Sequence, residues 1–372
     1  MKIVKLSGTP YEIGLSHGMQ CKPEIQKLTK FVGFGSVRMS LPDMRSGHPK
    51  LGYLFQAIIK YRNIKDELLR LSHIYEGYMQ QYWPALLEEM RGIAEGAAVA
   101  YEKILLANVL GEIVNSCSIW AACGAATKNG ETLLGMNSDE EKETAKYEIV
   151  KIIEPEKGYK VIANSLAGMV WLSSGLNEKG LAMGFPMLWL RRGSKPRQQM
   201  PAAVLFKTLF ECGTVDEALA MCDGLPEPAL PTAQYIVDPH KVARVEWAKD
   251  ERDVTVIESG FLSNTNLPES AKIKKYDATS EWSDRVTYNA PYRHKRMKQL
   301  ERQYYGDIDV RVMQAISTDH GEGDTLNKSI CQHSLTPMGG ATVSALIAQP
   351  GKLKVWISGY PPCKTGFMEF EI

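Results

Sequence analysis

An α+β layered fold is what this sequence predicts, on two observations. The first third carries helical periodicity, and the remainder carries period-two apolar runs that close in Gly- and Pro-rich turns, with helices inserted between the hairpins. The 372 residues, 44% hydrophobic and 23% charged, are enough for one large core or two domains and exclude a disordered or collagen-like chain. No internal repeat or low-complexity linker divides the chain.

The elements follow in order. In "GTPYEIGLSHG", Thr9 caps a helix, Pro10 takes its first turn and Glu12 completes a capping box, each satisfying or removing an orphan N–H. Further on, Leu86, Met90, Ile93 and Ala97 recur at spacings of one amphipathic face. This helical part is expected to end near Val114. Then "GMVWLSSGLNEKGLAMGFPML" reads as strand, Asn-Glu-Lys-Gly turn and strand, "AQYIVDPHKVARVEWAKDERDVTVIES" repeats the pattern, and "ATVSALIAQPGKLKVWISG" is a third hairpin. Between them lie "TVDEALAMCDG", with a capping box from Thr214 to Glu217 and a terminal Gly224, and "YNAPYRHKRMKQLERQYYG", whose many cations read as a solvated helix face.

Lys and Arg number 44 against 43 Asp and Glu, without a basic block interleaved with aromatics, so no nucleic-acid or anionic-membrane partner is expected. The N-terminus lacks the apolar core of a secretory signal, and no run reaches the roughly 18 apolar residues of a membrane span, which predicts a cytoplasmic protein. Seven cysteines (21, 117, 123, 212, 222, 331 and 363) show neither a C-x-x-C pair nor a zinc-ribbon repeat. This argues against a disulfide framework and against a structural zinc site, and fits a reducing compartment. No Gly-rich loop follows a strand and opens a helix, so a Rossmann or P-loop reading is weak; no cofactor and no metal are expected.

One stretch carries the chemistry: "NSCSIWAACGAATKNGETLLGMNSDEE" puts Cys117 where helix gives way to strand, and ends in a Gly-x-Asn-x-Asp segment read as a turn, with Asn137 and Asp139. By residue type alone, Cys117 packs as a small hydrophobe, Asp139 is a carboxylate bonding its own turn, and Asn266 in "FLSNTN" is a loop cap. A metallohydrolase reading of Asp319, His320, Glu322, Asp324 and His333 ranks lower, because these residues lack a helical His-x-x-x-His spacing. Cys331, Cys363, Trp171, Trp189 and Trp356 read as packing residues, with one tryptophan available to line an acyl pocket.

Together with "DHGEG", "SICQH" and "GATVSALIAQPGKLKVWISGYPPC", these segments resemble, in order and over nearly the whole chain, the acyl-coenzyme A:6-aminopenicillanic acid acyltransferase family. That family comprises N-terminal-nucleophile (Ntn) cysteine hydrolases related to the bile-salt and penicillin V amidases. The resemblance implies a four-layer αββα Ntn-hydrolase sandwich, and a precursor that cuts itself between Ser116 and Cys117. A helical segment, 1–116, and an Ntn core, 117–372, would then stay packed as one globular unit.

The resemblance further implies that Cys117 is the nucleophile and that its new α-amine is the general base, since such an amine has a pKa of about 7.7–8.0. Asp139 would hold that amine, Asn266 would donate to the oxyanion, and Asn137 would support Asp139 structurally. The substrate would be a small-molecule amide or thioester, and a homo-oligomer is compatible with the reading. The alternative is an unprocessed, catalytically silent homologue that binds a small molecule or partner. Four departures from the template stand out: Met136 and Gly339 where relatives carry Arg, Ser138 where the penicillin acyltransferase has Trp, and Ser116 where it has Gly. Penicillin-type substrates therefore do not follow from the resemblance.

Overall fold

In the computed structural model the described residues are 1–39, 70–111, 116–190, 199–248, 251–277, 289–321, 329–334 and 340–372. They form two β-sheets. The larger runs β1(Lys2–Gly8), β4(Glu148–Pro155), β5(Val161–Leu166), β6(Ser174–Asn177), β7(Ala182–Gly184), β8(Thr232–Val237), β9(Val242–Ala248), β10(Glu251–Ile257). The smaller runs β11(Gly260–Asn264), β2(Ser116–Gly124), β3(Gly130–Glu141), β12(Gly340–Gln349), β13(Lys354–Ser358), β14(Met368–Glu371). All pairings are antiparallel except β1 with β4, which is parallel. The three expected hairpins are β6/β7, β8/β9 and β12/β13.

Side-chain alternation sorts the core into three apolar layers between four structural ones. Ile119, Ala121 and Cys123 of β2 point into the seam between the sheets, where they meet Leu134, Val150, Ile162 and Tyr235. Trp120 and Ala122 of the same strand point outward, against Met297, Leu300, Met313 and Ile316 of the helices Ala290–Tyr304 and Val310–Ser317. On the far side of the larger sheet, Val4, Ile153 and Val161 pack under Ile13, Leu86, Met90 and Ile93 of the helices Pro10–Gln20 and Ala85–Ala97. The order helix, sheet, sheet, helix is the αββα sandwich. Gly135 lies opposite Trp120, whose ring takes the space a Cβ would fill.

The expected caps form. Thr9 Oγ1 accepts from Glu12 N while Glu12 Oε2 accepts from Thr9 N. Thr214 Oγ1 accepts from Glu217 N, but the Glu217 carboxylate accepts from Gly213 N instead of closing a box. Leu86, Met90, Ile93 and Ala97 are buried on one helix face, as their spacing predicts. Two expectations are corrected. The first third is not wholly helical, because β1 opens it and joins the larger sheet. The segment of Asn137 and Asp139 is no turn; it continues β3 in register with β2 and β12. Val114 lies outside the described residues. Among the described residues no helix is long and apolar enough to cross a membrane.

Candidate active site

Cys117 is the second residue of β2, paired with Ser138 on one side and, on the other, two residues beyond the end of the β11 pairing at Ile119. Its alternation parity sends the sulfur into the seam between the sheets. There it lines a cleft of about 480 Å³, its opening to solvent included, walled by Met136, Ser138 and Glu140 of β3 and by Trp171, Phe185 and Met187. The wall is mostly apolar, with the buried Trp171 indole N–H and Ser173 hydroxyl lacking partners among the described residues. Such a wall suits an apolar acyl group with an acceptor atom on it. Burial, with Asp139 as the next cause, pushes the Cys117 thiol far above its ordinary range, and a backbone hydrogen bond from Asp139 opposes the rise.

The peptide nitrogen of Cys117 donates to Asn266 Oδ1 at 3.1 Å. Asn266 has φ of 74°, a left-handed conformation that asparagine tolerates better than most residues, and its backbone N–H is tied to Asn264 Oδ1 at 2.8 Å. Its side-chain orientation is fixed by partners: Oδ1 also accepts from Arg293 Nη2 (2.7 Å) and Ser116 Oγ (3.1 Å), while Nδ2 donates to Met187 O (2.8 Å). The amide N–H groups therefore face away from Cys117, and the carbonyl oxygen faces it.

Asp139 lies on the opposite face of the smaller sheet from the Cys117 sulfur, since it is one residue out of phase with Ser138. Its carboxylate accepts from Thr342 Oγ1 and Gln332 Nε2, both at 2.6 Å, and lies 3.8 Å from Arg293 Nη1. In the intact chain the Cys117 nitrogen thus rests on Asn266, not on Asp139. Burial raises the Asp139 pKa to about 6, against the lowering pull of Arg293, Thr342 and Gln332. Asn137, fully buried on the same face, joins β3 to the helix Val310–Ser317 through Ser317 and to the loop of Ile330 through its carbonyl.

Arg293 is the residue that sequence reasoning missed. It is fully buried, bonding Cys117 O (2.6 Å), Ser118 Oγ (3.0 Å), Ser116 Oγ (2.8 Å) and Asn289 Oδ1 (3.1 Å), so the Ala290–Tyr304 helix is not simply a solvated face. Arg293 shares a stripe with Met297 and Leu300, at spacings of four and three, and that register is the signal that marks it as inward-facing.

Asp319 pairs with Arg296, and His320 Nε2 lies 3.0 Å from His333 Nε2. Cys331 and Cys363, read as packing residues, converge on the same histidine pair. Glu322, Asp324 and Gly339 lie outside the described residues. Of the tryptophans, Trp171 lines the cleft, whereas Trp356 packs against the outer apolar layer and donates from Nε1 to Glu369 Oε2.

The profile of the acyl-coenzyme A:6-aminopenicillanic acid acyl-transferase family matches residues 125–357. The chain is 26% identical over 219 residues to the acyl-coenzyme A:6-aminopenicillanic-acid-acyltransferase 40 kDa form of Emericella nidulans, an alignment covering 58% of this chain and 54% of that protein. It is 27% identical over 215 residues to an uncharacterised protein of Archaeoglobus fulgidus, covering 50% of this chain but 32% of the other. The chain thus spans between a third and about half the length of these relatives. Among solved structures, the Caenorhabditis elegans N-acylethanolamine-hydrolyzing acid amidase ortholog aligns at 12% identity and a TM-score of 0.45, covering 69% of this chain and 100% of that one. With well over half its residues inside the family profile, the chain belongs to the acyl-coenzyme A:6-aminopenicillanic acid acyl-transferase family.

Proposed function

We propose that the chain is a self-processing Ntn cysteine amidohydrolase or acyltransferase that works through a Cys117 thioester. In the precursor, the Cys117 sulfur attacks the Ser116 carbonyl carbon, and the thiol proton passes to the departing peptide nitrogen as the C–N bond breaks. Water then hydrolyses the thioester, leaving a Ser116 carboxylate, a free thiol and a free α-amine on Cys117. In the mature protein the amine takes the thiol proton as sulfur attacks a substrate acyl carbon. It returns that proton to the leaving amine, and water or an acceptor amine releases the acyl group.

The observation that carries this reading is the 3.1 Å bond from Cys117 N to an Asn266 oxygen that is itself pinned by Arg293, with the sulfur facing an apolar cleft. An acceptor held there would take one N–H of the new amine and leave its lone pair for the thiol proton. Asn266 thus positions the nitrogen. Asp139 acts through Arg293, and Asn137 holds the strand that carries Asp139. The cleft's Met136, Phe185 and Met187 suit an aliphatic or aromatic acyl chain.

The test is the intact mass and denaturing gel of purified full-length protein. Two fragments are expected, the larger beginning at Cys117, and Cys117→Ala should run as one chain. A wild-type protein that stays full-length after prolonged incubation overturns the reading in favour of a silent binding homologue.

A further inference from the structure

A second constellation lies apart from the cleft. His320 and His333, half-buried, and Cys331, fully buried, are joined by Cys363 from the segment after β13, and one potential ligand atom from each lies within 4.8 Å of all the others. Three separations are 3.0 Å (His320 Nε2 to His333 Nε2), 3.7 Å (Cys331 Sγ to His333 Nε2) and 3.4 Å (Cys363 Sγ to His333 Nε2). With Zn–N near 2.0–2.1 Å and Zn–S near 2.3 Å, the edges of a tetrahedral Cys2His2 site are about 3.3–3.8 Å.

His333 Nε2 is the point on which the other three groups close, within 4 Å of His320 Nε2 and of both thiols. A divalent cation at the centre satisfies all four: both imidazoles present lone pairs, both thiols lose their protons to solvent, and the two thiolates balance the charge of the ion. Two thiolates and two imidazoles are a donor set that selects zinc among the common divalent ions. With four protein ligands no coordination position is left open, which marks a structural centre.

The backbone around the ligands is already organised. Cys331 N donates to Asp319 O at 3.0 Å, joining the two ligand segments, and Asp319 is clamped by Arg296. Gln332, between two of the ligands, donates from Nε2 to Asp139 Oδ2 at 2.6 Å and from its backbone N to Thr342 Oγ1 at 2.8 Å.

We propose that His320, Cys331, His333 and Cys363 bind one structural zinc ion, which fixes Gln332 against Asp139. The site is independent of self-cleavage, so Cys117→Ala should hold the metal as the wild type does. Full-length protein should contain about one zinc per chain by elemental analysis. Cys363→Ser and His333→Ala should each lower that content at least about tenfold and melt earlier. Cobalt exchanged for zinc should show thiolate-to-metal charge transfer and the intense visible bands of tetrahedral Co(II). This readout on unmutated protein does not depend on any variant folding. Three results would each overturn the proposal: wild type without bound zinc after incubation with it, zinc unaffected by both substitutions, or a mass two hydrogens short from a Cys331–Cys363 disulfide.

Discussion

At the scale of single residues, the network around Cys117 rests on one buried cation. Arg293 holds the Cys117 carbonyl and the Asn266 oxygen and lies beside Asp139. Replacing it with Met leaves Asp139 buried without a counter-charge, a change that costs about 3–5 kcal/mol when one member of a buried pair is removed. Arg293→Met should therefore lower the denaturation midpoint sharply at pH 8 and less at pH 5, where Asp139 can take a proton. Equal losses at both pH values would disconnect the two residues. Asp139 gives its own pH signature. Its folded pKa of about 6 lies above the ordinary carboxylate value, so between about pH 4 and 6 the native chain holds a proton that the unfolded chain has released. Stability from this group is greatest at the acid end and falls as pH rises through that window. Asp139→Asn should flatten that part of the melting-temperature profile, and an unchanged slope would refute the assignment. Asn266 was expected from the resemblance to turn its N–H toward the reaction centre, whereas its Oδ1 accepts from Cys117 N and its Nδ2 donates to Met187 O. The setting of Asp139 was not legible, because reading Gly-x-Asn-x-Asp as a turn hides the strand parity that sends its carboxylate away from the sulfur. Arg293 was hidden by the charges around it, although it keeps step with Met297 and Leu300.

At the scale of elements, the helices Pro10–Gln20 and Ala85–Ala97 cross at glycine contacts. A Cβ on Gly14 would lie 2.0 Å from Glu89 O, and one on Gly92 would lie 2.1 Å from Tyr11 O, so backbone meets backbone with no side chain able to yield. Gly92→Ala should destabilise by about 1–3 kcal/mol through overpacking, seen as a lower urea midpoint, and a neutral result would mean that the helices can part freely. Both helices could be read from caps and periodicity, yet their closeness could not, because periodicity describes one helix at a time. The strand β1 escaped for a related reason. Its inward pair, Val4 and Leu6, is too short a pattern, and its partner β4 lies far along the chain. The zinc ligands come from segments around 320, 331–333 and 363, a spacing that no linear motif contains.

At the scale of the whole molecule, the layer order followed from the hairpins and helices, but the strand order did not. The smaller sheet brings β11 beside β2 and β12 beside β3, pairings that only the long-range fold specifies. The proposed cut would fall between two covalent pieces that share one sheet and one core. Seven residues of β1 pair with β4, and Ile13, Leu86, Met90 and Ile93 pack on residues from beyond position 117. Processed protein should elute in size-exclusion chromatography as a single species containing both fragments, and should separate only when denatured. Elution of the larger fragment by itself would show that the cut releases the smaller one. Ser116 adds a last consequence. Its hydroxyl lies between Arg293 Nη2 and Asn266 Oδ1. Once that residue swings aside, a guanidinium hydrogen is left facing the space it occupied, and the first guest to inherit the berth would be favoured for bringing an oxygen of its own.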